Sequence, residues 1–256
     1  MTLTQEQIDH FRCEGYLSIG KILEDDEIEL LREQYDLEFE RARESKAYRN
    51  LSVDDGADAD TMETAPRRML QIMQMCERNI HFRQLIHNDK ILDLASDLIG
   101  PNIQLFHDQA LFKPANDGGA VLWHQDNAYW QCRPATLISC WLTLDDVDIR
   151  NGAMQVIPGS HLTPVWHERS EKTTALLDMK DLDTSSAIAI DLPAGGCMFH
   201  HCQTLHYTQP NETERQRRAF AIHLMTPGTR SAKDEKLVSD KDFEVGFERP
   251  MLRAKA

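Results

Sequence analysis

Positive charge is the scarce ingredient of this 256-residue chain: 28 Lys and Arg stand against 42 Asp and Glu, a formal net charge of −14. Such a surface repels polyanions, which argues against nucleic acid or an anionic membrane face as partner and leaves a small molecule as the better expectation. Long hydrophobic runs are missing as well; with no stretch of eighteen apolar residues, no membrane-spanning helix is expected. The six cysteines, at 13, 76, 132, 140, 197 and 202, contain no C-x-x-C pair, and Met1 leads straight into the polar T-L-T-Q-E-Q rather than a signal peptide. Free thiols, Cys197 and Cys202 included, and a cytoplasmic location follow as expectations. No internal repeat is visible, and this length suits one domain spanning 1–256. No feature of the sequence speaks to oligomeric state.

What is present sorts into two textures. Up to about residue 100, helix signals dominate. The T-x-x-Q box of Thr4 and Gln7 opens a short helix that ends near Gly15, a strand-like Y-L-S-I follows, and Ile28, Leu31, Tyr35 and Phe39 recur at helical spacing from about Asp25 to Arg43. Phe82, Leu85, Ile86, Leu92, Ala95 and Leu98 mark a second helical stretch that Gly100 and Pro101 stop. Residues 46 to 66, with D-D-G-A-D-A-D, show no periodicity and read as a loop whose acids lack EF-hand spacing.

From 102 to 226 the chain breaks into short apolar or alternating runs, among them I-Q-L-F-H, L-I-S-C-W-L-T-L and A-F-A-I-H-L-M, separated by Gly, Pro, Asn and Asp. The expected class is therefore α+β, with a double-stranded β-helix core (jelly-roll, cupin-like) and the N-terminal helices packed on one outer face. Residues 1–100 would be mainly helical support, 102–226 the jelly roll and 227–256 a C-terminal extension. The longest interruption, about 159 to 186, is long enough to serve as a lid together with 46 to 66.

The stretch W-H-Q-D-N-A-Y-W at 123–130 carries the first chemical signal. In a strand, His124 and Asp126 project from the same side, a spacing that suits grip on one metal ion. Among eleven histidines, His206 is the best candidate for a further ligand: it ends a strand run, a P-N turn follows, and Arg217 opens the next strand, a sequel that His200 and His201 lack. Two histidines and a carboxylate form the facial triad of non-haem Fe(II) oxygenases. Zinc hydrolases use the same donors. Arg217, on a strand expected to pair with that of His206, suits a bidentate fork on the remote carboxylate of a dicarboxylic cosubstrate, while its neighbour Arg218 must face the other way.

Taken in order, F-R-C-E-G-Y-L, L-F-K-P at 111–114, W-H-Q-D-N at 123–127, N-G-A-M-Q-V-I-P-G-S-H at 151–161, and H-Y-T-Q-P-N with Arg217 eleven residues beyond His206 resemble the phytanoyl-CoA dioxygenase family of Fe(II)- and 2-oxoglutarate-dependent oxygenases. The resemblance covers most of the chain. It implies that His124, Asp126 and His206 hold Fe(II), that Arg217 grips the C5 carboxylate of 2-oxoglutarate, and that Thr208 meets the same carboxylate; apart from the resemblance, Lys113 is either a surface residue or, turned inward, a cation for a cosubstrate carboxylate or a substrate, and Gln125 is a further candidate cosubstrate contact. The resemblance also implies a dioxygenase that takes Fe(II), 2-oxoglutarate and O2, and hydroxylates a small molecule with release of succinate and CO2. Asp126 stands where related halogenases carry a small residue, which favours hydroxylation. The common H-G-S of the family reads H-Y-T here, which sets the bulky Tyr207 directly after His206. Candidate substrate contacts are Trp130, Trp166, His167 and Arg67. Two other readings keep the same ligands: a non-catalytic metal-binding jelly-roll protein, and a zinc hydrolase, which would have no use for Arg217.

Overall fold

The computed structural model describes residues 1–170, 173, 176–179, 181–239 and 249–255. An eight-stranded sheet runs in the order Tyr16–Lys21, Gly196–His201, Ile138–Thr143, Arg217–Met225, Ile103–Lys113, Leu70–Met73 and Arg49–Asn50, with Met251–Arg253 also paired to the 103–113 strand. A four-stranded sheet, Ile188–Ile190, Met154–Val156, His206–Thr208 and Val121–His124, faces it. Every named pairing in the two sheets is antiparallel, the pattern of a jelly roll.

The strand Arg217–Met225 explains why one stretch of sequence serves two cores. All nine residues are buried, and successive side chains point to opposite faces. Phe220, Ile222 and Leu224 join the outer core with Ile28, Leu31, Tyr35 and Phe39 of the helix Asp25–Ser45 and with Leu92 and Ala95 of Asp89–Ile99. Ala219 and Ala221 instead face Trp141, Met154, Val156 and Met198 between the sheets. The helices thus cover one outer face, as the periodicity of Ile28 to Phe39 implies. Tyr35 ties the layers further by donating to the carbonyl of Ala219 at 3.2 Å.

Several boundaries differ from the sequence reading. The first hundred residues also supply sheet strands at Tyr16–Lys21, Arg49–Asn50 and Leu70–Met73. The helical stretch from Phe82 to Leu98 is two helices, Ile80–Leu85 and Asp89–Ile99, preceded by a short one at Met75–Arg78, because Asn79 and Asn88 each cap a new start with a side-chain oxygen. The 46–66 loop contains a helix, Ala59–Thr64, capped by Asp58. His206 and Arg217 do not sit on paired strands; their strands belong to different sheets and face each other across the interior. Of the 159–186 segment, residues 171, 172, 174, 175 and 180 lie outside the described residues, as do 240–248 and 256 of the C-terminal extension.

Candidate metal centre and cosubstrate pocket

His124 ends the strand Val121–His124, and at Gln125 the backbone leaves the sheet so that Asp126 opens the short helix Asp126–Trp130. Strand alternation therefore does not join the pair, contrary to the expectation from spacing. The strand-to-helix junction does, leaving Asp126 Oδ1 3.5 Å from His124 Nε2. His206 is the register partner of His124. Their rings lie 4.1 Å apart, and His206 Nε2 is 3.7 Å from the same carboxylate oxygen. One donor atom from each of the three buried residues lies within 4.8 Å of the others.

The imidazoles are oriented for coordination. His124 Nδ1 lies 2.7 Å from the carbonyl of Leu122, and His206 Nδ1 lies 2.9 Å from that of Thr204. A carbonyl only accepts, so each ring carries its proton on Nδ1 and turns an Nε2 lone pair to the centre. Burial holds His206 well below the ordinary histidine range, which removes a competing proton. Burial acts to raise the Asp126 carboxyl, but His206, His124, His200 and His223 outweigh it and hold the group well below the usual carboxylate range. Two neutral nitrogens and an anionic oxygen on one face fit a divalent iron and leave other positions open.

The second carboxylate oxygen is held from the opposite sheet. Ser139 donates from Oγ to Asp126 Oδ2 at 3.0 Å, and His223 Nδ1 is 2.7 Å from the same Oγ. Since Ser139 has spent its one proton on Asp126, His223 must donate from Nδ1 and accept at Nε2, where Gln109 Nε2 lies 2.9 Å away. Gln71 in turn donates to Gln109 Oε1. The result is a one-way chain of hydrogen bonds from Gln71 through Gln109, His223 and Ser139 to Asp126.

A cavity of about 390 Å³ opens from the donors toward Arg217. Arg217 is 1% exposed, lies 5.8 Å over the Trp141 ring and donates from Nη1 to the carbonyl of Leu111 at 2.8 Å. Its Nε and the Oγ1 of Thr208 have no hydrogen-bond partner, and both residues line the cavity. Leaving a buried donor unmet costs about 1–3 kcal/mol, more for a charged group, so the arrangement fits an acceptor-rich ligand such as a carboxylate. Burial brings the guanidinium down to about 10, still charged at neutral pH. Arg218 faces outward, bridging Asp36 of the long helix and Asp145. His206 and Thr208 share the inward side of their strand, while Tyr207 turns away and stacks on Trp123 at 5.4 Å.

Other candidates are corrected by their surroundings. Lys113 is fully buried, but its Nζ donates to the carbonyls of Gly119, Thr208 and Gln209, and it does not line the cavity. Its role is to tie three chain segments, in a slot where a Cβ on Gly152 would come within 2.9 Å of its stem. Gln125 and His167 clasp each other's segments instead of meeting a ligand. Gln125 Nε2 donates to the carbonyls of Thr163 and Gln203, and its backbone N–H donates to His167 Nε2 at 2.9 Å. Trp166 is 84% exposed, and Arg67 is an exposed partner of Glu212. Trp130 does line the cavity, 4.9 Å from the Phe106 ring.

His107, Gln109, Ser139, His200 and His223 were not singled out as functional from the sequence. A signal for one was present: counting in twos from Arg217 along its strand passes Ala219 and Ala221 and reaches His223 on the same face. Ser139 offers no such signal, because a buried serine in L-I-S-C-W-L-T-L is indistinguishable from a packing residue until the sheets are assembled.

Comparison with known proteins agrees with this geometry. A probable alpha-ketoglutarate-dependent hypophosphite dioxygenase of Stutzerimonas stutzeri is 32% identical over 145 residues, 54% of this chain and 50% of that protein, so the likeness spans about half of that relative's length. A phytanoyl-CoA dioxygenase of Arabidopsis thaliana is 24% identical over 91% of this chain and 93% of its own. Among solved structures, the non-haem monooxygenase ThoJ superposes with a TM-score of 0.75 at 23% identity, covering 98% of this chain and 84% of that one. The alpha-ketoglutarate-dependent epimerase SnoN from nogalamycin biosynthesis gives 0.72 at 21%, covering 98% and 96%. These structures establish the shared fold. The model of the family described as phytanoyl-CoA dioxygenase (PhyH) matches residues 11–219, and the chain belongs to that family.

Proposed function

We propose that His124, Asp126 and His206 hold Fe(II), and that 2-oxoglutarate lies in the adjoining cavity with its C5 carboxylate at Arg217 and Thr208. The chain is a 2-oxoglutarate-dependent non-haem dioxygenase. Iron with its cosubstrate and O2 supplies the oxidising power for hydroxylation, with succinate and CO2 as coproducts. The protein's own residues do the rest: Leu122 and Thr204 fix the ligand tautomers, Ser139 steadies the carboxylate, and Arg217 orients the cosubstrate. Trp141, Leu111 and Met154 line the cavity and help keep water out.

The observation that carries this reading is the pair of unmet polar atoms, Arg217 Nε and Thr208 Oγ1, at the end of the same cavity that reaches the three donors. A zinc hydrolase has no need of a buried, partly unpaired guanidinium there, and a purely structural metal site has no need of the cavity. Anaerobic titration of the Fe(II)-loaded protein with 2-oxoglutarate tests it: saturable binding that Arg217→Ala weakens supports the assignment, and binding indifferent to that change removes it.

The substrate is a small molecule in this proposal, since the cavity lies near the small end of the range for ligand pockets and must hold the cosubstrate too. Relatives named for hypophosphite and for ectoine extend the family toward compact polar compounds. The lid reading has support on both sides: Leu51 and Leu176 line the cavity, Thr173 donates to the carbonyl of Val53, and Tyr129 accepts from the backbone N–H of Leu177. No helix among the described residues is long and apolar enough to cross a membrane. A cytoplasmic location fits six cysteines that are all free. A single domain fits the pairing of Tyr16–Lys21 with Gly196–His201 and of Met251–Arg253 with Ile103–Lys113.

A further inference from the structure

Two glutamines stand on the wall of the cavity with their amides locked in one orientation. Arg49 donates from Nη1 to Gln71 Oε1 at 3.2 Å, Gln71 Nε2 donates to Gln109 Oε1, and Gln109 Nε2 donates to His223 Nε2 at 2.9 Å. The chain continues through Ser139 to Asp126. Both ends dictate its sense: a guanidinium has no lone pair to accept with, and an ionised carboxylate has no proton to give. Neither amide can be turned over without breaking two hydrogen bonds.

Each amide nitrogen carries two hydrogens, and the chain uses one. Among the described residues no acceptor meets the second hydrogen of Gln71 or of Gln109. Both residues line the cavity, so these two N–H groups are left for whatever occupies it. They are close together: one hydrogen bond and the width of one amide separate the nitrogens, roughly 5 Å at most. Two donors at that spacing can both approach one carbonyl oxygen at about 2.9 Å, one on each lone pair.

The pair lies beside the cosubstrate's path. A cosubstrate that runs from the metal donors to Arg217 passes over Ala219 and Ala221 on the Arg217 strand. Gln109 is the register partner of Ala221 on the next strand, and Gln71 is the partner of Leu111 one strand further toward the sheet edge. Gln109 nevertheless touches His223, whose partner Ser139 holds Asp126, so a molecule seated on the glutamines directs its next few atoms toward the metal donors.

The charges on this side are matched. Arg49 is committed to Gln71 and ion-paired with Asp55, while Leu51, Met69, Met73, Val121 and Leu176 give the wall an apolar character. An ion buried here would find no counter-charge, which costs far more than burying a neutral carbonyl that meets two donors.

We propose that Gln71 and Gln109 form the substrate-recognition pair and that the substrate is a compact neutral carbonyl compound, an amide, lactam, ester or ketone, whose oxygen accepts one hydrogen bond from each. The assignment rests on 2-oxoglutarate occupying the Arg217 end. Because the chain from Arg49 to Asp126 already fixes both amides, the donors are in place before the substrate arrives, and little ordering entropy is lost on binding.

Calorimetric titration of the anaerobic Fe(II) and 2-oxoglutarate holoenzyme tests this with pyrrolidone, butyramide, methyl propionate and butanone, set against butyrate and butylammonium. At least one carbonyl compound stimulates succinate release under oxygen and binds about tenfold or more tighter than either ion. Gln71→Met, which keeps the length of the side chain without its amide, weakens binding of that compound about tenfold or more and leaves 2-oxoglutarate bound. Gln71→Glu reverses the preference: a carboxylate in place of the donor repels the carbonyl oxygen and draws butylammonium, a switch that a merely structural glutamine would not give. Gln109→Met is an independent second variant should Gln71→Met fold poorly. Silence of every carbonyl compound, tighter wild-type binding of either ion, an unchanged preference in Gln71→Glu, or undiminished carbonyl affinity in the folded Gln71→Met and Gln109→Met enzymes overturns the proposal while 2-oxoglutarate binding still stands. Wild-type holoenzyme that fails to bind 2-oxoglutarate at all would remove the cosubstrate reading and this proposal with it.

Discussion

Ser139 Oγ donates to Asp126 Oδ2 across 3.0 Å, so the large sheet holds the free oxygen of a carboxylate whose other oxygen faces His124 and His206 from the opposite wall. Partners of this kind fix a ligand's orientation, and their loss typically costs about 10–100-fold in metal affinity. Ser139→Ala is expected to weaken Fe(II) binding within that range while the fold persists, as read by competition with a coloured chelator. Wild-type affinity in that variant would show that the hydrogen bond does not position the ligand.

Arg217 and Arg218 are neighbours with opposite duties. Arg217→Ala is expected to leave iron binding near normal and to raise the 2-oxoglutarate requirement, with a loss on the order of 2–3 kcal/mol for a charge-assisted contact. Arg218→Ala breaks the bridge from the sheet to Asp36 and Asp145. It should lower the unfolding midpoint and leave 2-oxoglutarate affinity unchanged. Calorimetry and denaturant melts on both variants separate the two, and the reverse pattern would mean that the strand is misregistered by one residue.

Metal-free protein should lose stability as pH falls below about 6.5. Burial foremost pushes His201 and His223 down to about 4, and it also lowers His107, His200 and His206. A folded-state pKa below the ordinary value means that the unfolded chain binds more protons, so stability is full above pH 6.5 and drains toward pH 4. For the fully buried His223 the limiting loss is about 3 kcal/mol. Asp108, raised by burial to about 6, works in the opposite direction between about pH 4 and 6, one group against these five and His167, which burial also lowers. Denaturant melts at pH 7.5 and 5.0 check this, and equal stability at both would contradict it.

Removing the Asp126 carboxylate should not by itself turn the enzyme into a halogenase. Asp126→Gly opens a position at the metal, yet it leaves Ser139, and through it the His223 end of the hydrogen-bond chain, without the carboxylate acceptor and moves no substrate atom. Mass spectrometry of products formed in excess chloride is expected to show little or no chlorinated material. A substantial chlorinated product would contradict this.

How far the sequence reached follows from the range of the interactions involved. His124, Asp126, His206 and Arg217 were legible because each sits in a short patterned stretch whose chemistry needs only neighbours in sequence. The helix-and-jelly-roll division was legible for the same reason, through the spacing of Ile28, Leu31, Tyr35 and Phe39 and the later alternating runs. Lys113 and Gln125 misled because a charged or polar residue inside a motif looks like a ligand contact, whereas both satisfy backbone carbonyls brought from distant segments. The couplings of Ser139 to Asp126 and of His107 to His223 depend on which strands become neighbours, and no local pattern encodes that. The break at Asn88 was readable in principle, since an asparagine ahead of Asp89 and Lys90 is an ordinary helix start.

The most direct measurement is oxygen uptake with succinate quantified in the same reaction, for wild type, His206→Ala and His200→Ala, each with Fe(II) and 2-oxoglutarate. With His206 as a metal ligand, wild type forms succinate only when both are present, His206→Ala loses iron and turnover together, and His200→Ala retains iron. No succinate from iron-loaded wild type with any responding substrate, or normal iron occupancy in His206→Ala alongside its loss in His200→Ala, would contradict the assigned centre.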